Sequence, residues 1–429
     1  MTERLYYKDP TLTRFSARVI EHLRWEDRPA VVLERSAFYP NAGGQPHDTG
    51  LLCDADSSHC ATDTSHCVAD TSCCVAVVDV VEREADGAVI HVLSEELEAA
   101  EVEAQIDWDR RFDLMQQHTG QHILSAAFLE RFEANTVGFH LSDDYSTIDL
   151  DRAPLSAEDL SEVETLANSI VFENRPTIAR FVPDEEVPTL PLRKPLAHKG
   201  PVRIVEIPGF DCSACGGTHV RATGEVGLIK ITRSERRGEE TRVEFLCGRR
   251  ALTDYQAKNS LLMGLAREYT VSYREVPDLV HRLAEELKDV RRELRQTRDE
   301  LLDAEASVLW LEAVTINGAK VVRAHLPGRA PDDLKHLAQR LIVQPKTAVL
   351  LAAGEAGQPG FFTFARSADL DVNMGTLVRQ ACELAGGRGG GRPEFAQGGG
   401  PQGERVAQAL GEAFRSLEGF IHHGPRDRS

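Results

Sequence analysis

Two pairs of metal-ligating side chains each stand four residues apart in this sequence. His118 and His122 lie in the run HTGQH, and Cys215 and His219 lie in CGGTH. Residues four apart on a helix project from one face, so both imidazoles of a helical HTGQH can reach one ion. A thiolate and three imidazoles suit Zn²⁺ better than Ca²⁺ or Mg²⁺, which prefer oxygen ligands. We therefore expect one zinc ion per chain, and the alternative is two core histidines beside an unrelated thiol.

The flanking residues predict the elements that carry these pairs. From Trp108 to Arg131 the chain has no proline, one glycine and an apolar stripe, which predicts a helix. Gly216 and Gly217 permit a tight turn between Cys215 and His219. HTGQH is also close to the zinc-protease motif, but Thr119 stands where that motif needs its glutamate base, so a protease is a poor interpretation.

Three runs in order, FYPNAGGQPHDTG, HTGQHILSAAF and CGGTHV, resemble the editing domain of alanyl-tRNA synthetases and the free-standing alanyl-tRNA editing proteins of the AlaX family. The resemblance covers roughly residues 1 to 250. A fourth run, GGRGGGRPEFAQGGG from Gly386 to Gly400, resembles the DHH-associated domain of the same proteins.

The resemblance implies hydrolysis in trans of mischarged tRNA(Ala), chiefly Ser-tRNA(Ala) and also Gly-tRNA(Ala). The synthetases' large aminoacylation domain has no counterpart ahead of the first editing strand, so ATP-dependent charging is not expected. Whether zinc activates water or only organises the pocket stays open. The rival hypotheses are a metal-dependent small-molecule esterase or amidase and a non-catalytic tRNA-binding module.

The resemblance also assigns site residues. Ser36 occupies the position of a family threonine associated with amino-acid discrimination, and Gln45, in AGGQ, matches a residue tied to editing that could orient water or the ester. We expect both to serve catalysis. Gly43 and Gly44 would let the backbone approach the terminal adenosine.

The formal net charge of -19 argues against a chain that is basic throughout, but local charge can still bind phosphates. Basic residues cluster at 193–203 (Arg193, Lys194, Lys199, Arg203) and at 230–250. The alternative is a solvated face diluted by glutamates. We expect tRNA contacts from Arg233, Arg236, Arg237, Arg388 and Arg392.

The chain shows no membrane-spanning apolar run and no signal peptide, so we expect a cytoplasmic protein whose nine cysteines stay reduced. Residues 54–74 repeat a seven-residue unit three times and read as a surface insertion. Its histidines and cysteines either bind a second metal or reflect repeat expansion in a tolerant loop (His59, Cys60, His66, Cys67, Cys73, Cys74).

The predicted fold class is α+β, in four parts. Residues 1–105 form a small β-barrel-like subdomain with a low-complexity insertion at 53–74, and 106–250 form the zinc-binding editing domain, where Ser156 and Asp159 have the form of a capping box. Residues 251–312 are one helical linker broken only by Pro277, and 313–429 are a glycine-rich, DHH-associated-like α/β domain.

The linker carries a heptad repeat whose apolar seam predicts a homodimer or a helical hairpin within one chain. In the last domain we expect strands at 320–324, 348–353 and 361–365, a helix from about Pro331, and a phosphate cradle in GGRGGGR. The seam positions are Leu283, Leu287, Val290, Leu294, Thr297, Leu301, Ala304 and Val308.

Overall fold

The chain folds into two compact units, Met1–Thr270 and Val271–Ser429. The computed structural model describes residues 2–55, 74–196 and 200–423. Helices and sheets occur in both units, which confirms the mixed α+β class. The finer division into four domains stays a prediction.

The first part of the first unit is a closed six-stranded antiparallel sheet, in which each strand pairs with two neighbours in the order β2-β3-β7-β6-β5-β8. Successive residues of a strand face opposite sides, and the alternating burial along β2 and β8 follows from this. Phe15, Leu33 and Leu52 fill the interior. The strands are β1 (Glu3–Arg4), β2 (Arg14–Trp25), β3 (Arg28–Leu33), β4 (Arg35–Ser36), β5 (Gly50–Asp54), β6 (Cys74–Arg83), β7 (Ala88–Leu93) and β8 (Glu101–Ile106).

A long buried helix organises the rest of the first unit. Met115, Leu124 and Phe128 of this helix pack into a core with residues of a four-stranded sheet, β14-β15-β10-β9, and of a second helix. A separate three-stranded sheet, β11-β12-β13, ends at the CGGTH turn. The elements are α1 (Trp108–Phe132), β9 (Thr136–Leu141), β10 (Ser146–Leu150), α2 (Ala157–Phe172), β11 (Ile178–Val182), β12 (Val202–Ile207), β13 (Asp211–Ala214), β14 (Ile229–Arg237), β15 (Glu240–Cys247) and α3 (Gly248–Glu268).

Local capping sets where these helices begin and end. The Asp107 side chain accepts a hydrogen bond from the Arg110 amide at the start of α1, and Glu133 ends the helix in the left-handed conformation. Ser156 and Asp159 form the predicted capping box of α2. The predicted helix over HTGQH is therefore confirmed, with its end one residue later than expected.

The second unit contains a six-stranded sheet in the order β16-β17-β18-β19-β21-β20. β17 and β18 are parallel and joined through α5, and the other pairs are antiparallel. The predicted strands and the helix from Pro331 are confirmed to within a residue or two. The elements are α4 (Val276–Leu311), β16 (Val314–Ile316), β17 (Ala319–His325), α5 (Pro331–Leu341), β18 (Thr347–Ala353), β19 (Gly360–Arg366), α6 (Met374–Leu384), β20 (Arg388–Arg392), β21 (Phe395–Gly400) and α7 (Val406–His423).

The glycine-rich run forms the edge strand β20, which pairs with β21, and the phosphate cradle expected in GGRGGGR stays a prediction. Gly389 lies in β20 and Gly398 opposite it in β21. A Cβ at Gly389 would lie 2.6 Å from the sulfur of Cys382, and one at Gly398 would lie 2.5 Å from the same atom. The glycines therefore let α6 pack directly on the sheet.

The helical linker is interrupted earlier than predicted. α3 ends at Glu268, Thr270 has a left-handed φ of 54°, and α4 begins at Val276. Pro277 lies in the first turn of α4, where a missing amide costs nothing, so it starts a helix and does not break one.

The expectation that all cysteines are reduced is wrong for one pair. Cys53 of β5 and Cys74 of β6 face each other in the strand register and form a disulfide. Cross-strand pairing of neighbouring antiparallel strands placed the two thiols together, which a sequence separation of 21 residues could not reveal. The other repeat positions proposed for a second metal, His59, Cys60, His66, Cys67 and Cys73, lie outside the described residues. None of the described helices combines the length and apolarity needed to cross a membrane.

Candidate metal centre

The four predicted ligands meet at one point in the first unit. α1 carries His118 and His122, and the turn after β13 carries Cys215 and His219. The Cys215 sulfur lies 3.4 Å from Nε2 of His118 and 3.3 Å from Nε2 of His219. One ligand atom from each residue lies within 4.8 Å of the other three. The fold thus brings together HTGQH and CGGTH, which lie about a hundred residues apart in the chain.

Each of the three histidines is held through its other ring nitrogen. Nδ1 of His118 lies 2.8 Å from the Gln45 side-chain oxygen, and Nδ1 of His122 lies 2.9 Å from the Asp211 carboxylate. Nδ1 of His219 lies 3.1 Å from the Thr119 hydroxyl oxygen, which also accepts from the Val220 amide. A proton on each Nδ1 leaves Nε2 with its lone pair directed towards the ligand cluster, as metal-binding histidines require.

Further hydrogen bonds fix the side chain of Gln45 beside His118. Its side-chain oxygen also accepts from the Thr218 amide at 3.0 Å, and its amide group donates to the Thr218 hydroxyl at 2.8 Å. The residue is fully buried and lies outside the cavity wall. A Cβ at Gly217 would lie 2.2 Å from the His118 ring and 2.8 Å from the Gln45 oxygen, so this position of CGGTH requires glycine.

The sequence analysis did not predict two residues that hydrogen-bond the ligand histidines, Thr119 and Asp211. Thr119 lies inside HTGQH, next to His118, so its place in the motif was a usable signal. Asp211 gave none, because it reaches His122 only through the tertiary fold. Arg193, a member of the basic cluster at 193–203, donates to Asp211 at 2.8 Å and so supports this carboxylate.

The electrostatics favour a thiolate at Cys215. Burial opposes ionisation of Cys215, but the attraction between its thiolate and the imidazoles of His118 and His219 holds the pKa of this thiol well below its ordinary value. Burial lowers the pKa of His219 to about 3. Burial also opposes protonation of His122, but its hydrogen bond to Asp211 raises the pKa to about 9, so a metal would displace a proton there. Three nitrogens and one sulfur with oriented partners fit a zinc ion.

Three of the four ligands line a cavity of about 280 Å³. His118, His122 and Cys215 are in its wall, together with Gly43. This volume lies just below the range of roughly 300–1,000 Å³ for small-molecule sites, so it fits a small acyl group better than a whole nucleotide. The remaining wall includes Arg4, Tyr6, Tyr7, Tyr39, Gln121, Thr136, Phe139 and Lys194.

The neighbouring glycine of the AGGQ run, Gly44, packs inwards. A Cβ there would lie 2.7 Å from the Phe139 ring, and its φ is 80°. Gly44 thus lets the loop that carries Gln45 approach β9.

The structure places Ser36 away from this cavity. It lies on β4, which pairs with β1, and its side chain is fully buried, 2.7 Å from Nε2 of His91. Its hydroxyl oxygen accepts from the Phe38 amide. Nδ1 of His91 lies 3.3 Å from the Val31 carbonyl oxygen. The hydroxyl of Ser36 is therefore already engaged within the fold, and its role in amino-acid recognition stays a prediction.

The predicted tRNA contacts lie on the surface. Arg233, Arg236 and Arg237 are exposed on β14, and Arg388 and Arg392 are exposed on β20 in the second unit. By contrast, the buried Arg203 donates to the carbonyls of Cys215 and Gly217 and supports the ligand turn. Lys199 lies outside the described residues.

Comparison with known proteins identifies the family to which this chain belongs. Residues 202–244 match the threonyl and alanyl tRNA synthetase second additional domain, and residues 318–419 match the DHHA1 domain. The alanyl-tRNA editing protein AlaX-L of Pyrococcus horikoshii is 30% identical over 410 residues, which cover 93% of this chain and 94% of that protein. The chain belongs to the AlaX-L family.

Alanine–tRNA ligases are also similar. The ligase of Pyrococcus abyssi is 32% identical over 92% of this chain, and that of Methanoregula boonei is 33% identical over 95%. The matches cover 42% and 43% of those ligases, so the chain spans less than half of their length. Among solved structures, the C-Ala domain of the Aquifex aeolicus alanyl-tRNA synthetase matches 25% of this chain at 24% identity with a TM-score of 0.23.

Proposed function

We propose that this chain hydrolyses the ester bond of tRNA(Ala) mischarged with serine or glycine. The observation that carries the proposal is the convergence of His118, His122, Cys215 and His219 in a chain of the AlaX-L family. All of them except His219 line a small cavity. Water adds to the ester carbonyl, the bond to the ribose oxygen breaks, and a free amino acid and an uncharged tRNA leave.

The four ligands would hold Zn²⁺, which would either supply Lewis acidity to the attacking water or organise the pocket around the ester. The chain's own residues position and enclose the reacting group. Gln45, Asp211 and Thr119 hold the imidazoles, and Tyr6, Tyr39 and Phe139 form the walls that exclude bulk water. The backbone at Gly43 leaves space at the wall for the terminal ribose.

Charge supports a polynucleotide partner in spite of the acidic composition. Arg4 and Lys194 lie at the cavity, and the exposed arginines of β14 and β20 offer further phosphate contacts. The exposed seam of α4 supports a second part of the proposal, a homodimer through this helix.

Pure protein incubated with Ser-, Gly- and Ala-tRNA(Ala) tests the proposal. We expect rapid release of serine and glycine, slow release of alanine, and loss of all three activities with a chelator or in Cys215→Ala. Cys212→Ala is the matched control, because Cys212 lies on β13 among apolar residues and outside the ligand set. Its deacylation should stay close to wild type.

The same experiment separates the rivals. A small-molecule esterase would cleave simple amino-acid esters as efficiently as aminoacyl-tRNA. A binding module would retain tRNA without deacylating it. Either outcome contradicts the proposal, as does full activity in metal-free protein.

A further inference from the structure

Gln121 is a polar side chain beside the metal centre that the chemistry above does not use. It lies on α1 between His118 and His122, in the run HTGQH, and contributes to the wall of the cavity. It is three residues from His118, so both side chains lie on the same side of the helix. With 2% of its surface exposed, its polar atoms need partners from the fold or from the contents of the cavity.

A short chain of hydrogen bonds orients the amide of Gln121. Its nitrogen donates to the Ser125 hydroxyl oxygen at 2.8 Å, and the Thr136 hydroxyl donates to the same oxygen at 2.7 Å. Ser125 is fully buried and Thr136 nearly so. These bonds hold the nitrogen towards Ser125 and leave the carbonyl oxygen of the amide without a donor among the described residues.

An acceptor of this kind discriminates between small amino acids. A serine hydroxyl can donate to it, and the space left by glycine admits a water that can do the same. An alanine methyl excludes that water and leaves the carbonyl oxygen unpaired, which is costly in a buried site. Ser36, the other candidate, has its hydroxyl engaged by His91 and Phe38 outside the cavity.

We infer that Gln121 is the residue that recognises the side-chain hydroxyl of a misattached serine, and that Ser125 and Thr136 position its amide. This inference rests on the proposed function, because it names how the same cavity selects its substrate.

Gln121→Leu tests the inference, because leucine is similar in size and lacks the acceptor. We expect kcat/KM for Ser-tRNA(Ala) to fall about tenfold, the loss of one hydrogen bond, while the value for Gly-tRNA(Ala) changes less than about twofold. Gln105→Leu, at an exposed position of β8, controls for the substitution itself. Zinc content measured on the same preparations should be equal in all three proteins.

Binding of L-serinamide and glycinamide by calorimetry gives a readout that does not depend on hydrolysis. Weaker binding of L-serinamide alone in Gln121→Leu supports the inference even if the tRNA substrate were different. Equal losses for both ligands, or a loss explained by missing zinc, would overturn it. So would an unchanged serine preference in Gln121→Leu together with a selective loss in Ser36→Ala. Absence of deacylation in the wild-type protein with intact selective binding would instead count against the proposed function.

Discussion

The orientation of each candidate ligand histidine depends on the residue that its Nδ1 contacts. Gln45 accepts from Nδ1 of His118 and is itself fixed by Thr218, so we assign it a positioning role. In Gln45→Leu the imidazole loses this partner, and zinc affinity should fall about 10–100-fold. Competition with a chromophoric chelator measures this, and excess zinc should restore part of the deacylation. Lost activity at unchanged zinc affinity would show that Gln45 acts on the substrate directly.

His91 makes the first unit sensitive to acid. Burial lowers its pKa to about 4 from its usual 6.5 in an unfolded chain. The unfolded state therefore binds the proton more tightly, and the stability contributed by neutral His91 is complete above pH 6.5 and is lost as the pH falls towards 4.

At pH 5 this effect should cost about 2 kcal/mol of unfolding free energy. Urea unfolding of wild type and His91→Gln at pH 7.5 and 5.0 isolates the contribution of His91 to the pH dependence of stability. All other groups titrate in both proteins, so their effects cancel in the comparison. An identical loss of stability in the two proteins would contradict the assignment.

At the scale of elements, α1 depends on close contact with β15. A Cβ at Gly120 would lie 2.2 Å from the sulfur of the fully buried Cys247. Gly120→Ala should therefore destabilise the protein by roughly 1–3 kcal/mol through overpacking, although alanine favours helices. Gly264→Ala on α3 is the matched control, because nothing lies within 4 Å of its Cβ position. Thermal unfolding should show a gain of up to about 1 kcal/mol there.

The apolar seam of α4 is exposed along most of its length. Leu287, Val290 and Leu294 are 50%, 59% and 66% exposed. If two chains pair through this seam, Leu287→Lys with Leu294→Lys should convert a dimer into a monomer in light scattering. Glu286→Lys, outside the seam, should leave the mass unchanged. A monomeric wild-type protein would refute the dimer.

At the scale of the whole molecule, phosphate contacts from the second unit should appear in the salt dependence of tRNA binding. Arg388 and Arg392 are exposed on the edge strand β20. If each contacts one phosphate, replacing both by alanine should lower the slope of log K against log salt by about 2. Arg415→Ala, on α7, is the control. An unchanged slope would remove β20 from the tRNA surface.

Much of the local structure followed from the sequence alone. The spacing of His118 and His122 and the caps at Ser156 and Asp159 depend on residues a turn apart, and the structure has both. The strands expected at 320–324, 348–353 and 361–365 lie at Ala319–His325, Thr347–Ala353 and Gly360–Arg366, because alternation and turn residues act over short distances.

The tertiary structure decided what depends on neighbours far apart in the chain. Asp211 contacts His122 from 89 positions away in the chain, and Cys53 faces Cys74 only because β5 pairs with β6. The glycine-rich run pairs as β20 with β21, and its glycines leave room for α6. Ser36 and Gln121 show the same limit, since the fold engages the hydroxyl of Ser36 away from the cavity and places Gln121 in the cavity wall. The residues that can bind a metal can therefore be predicted from the sequence, because the ability to coordinate an ion belongs to the side chain itself. Their partners and their access to substrate arise only from packing.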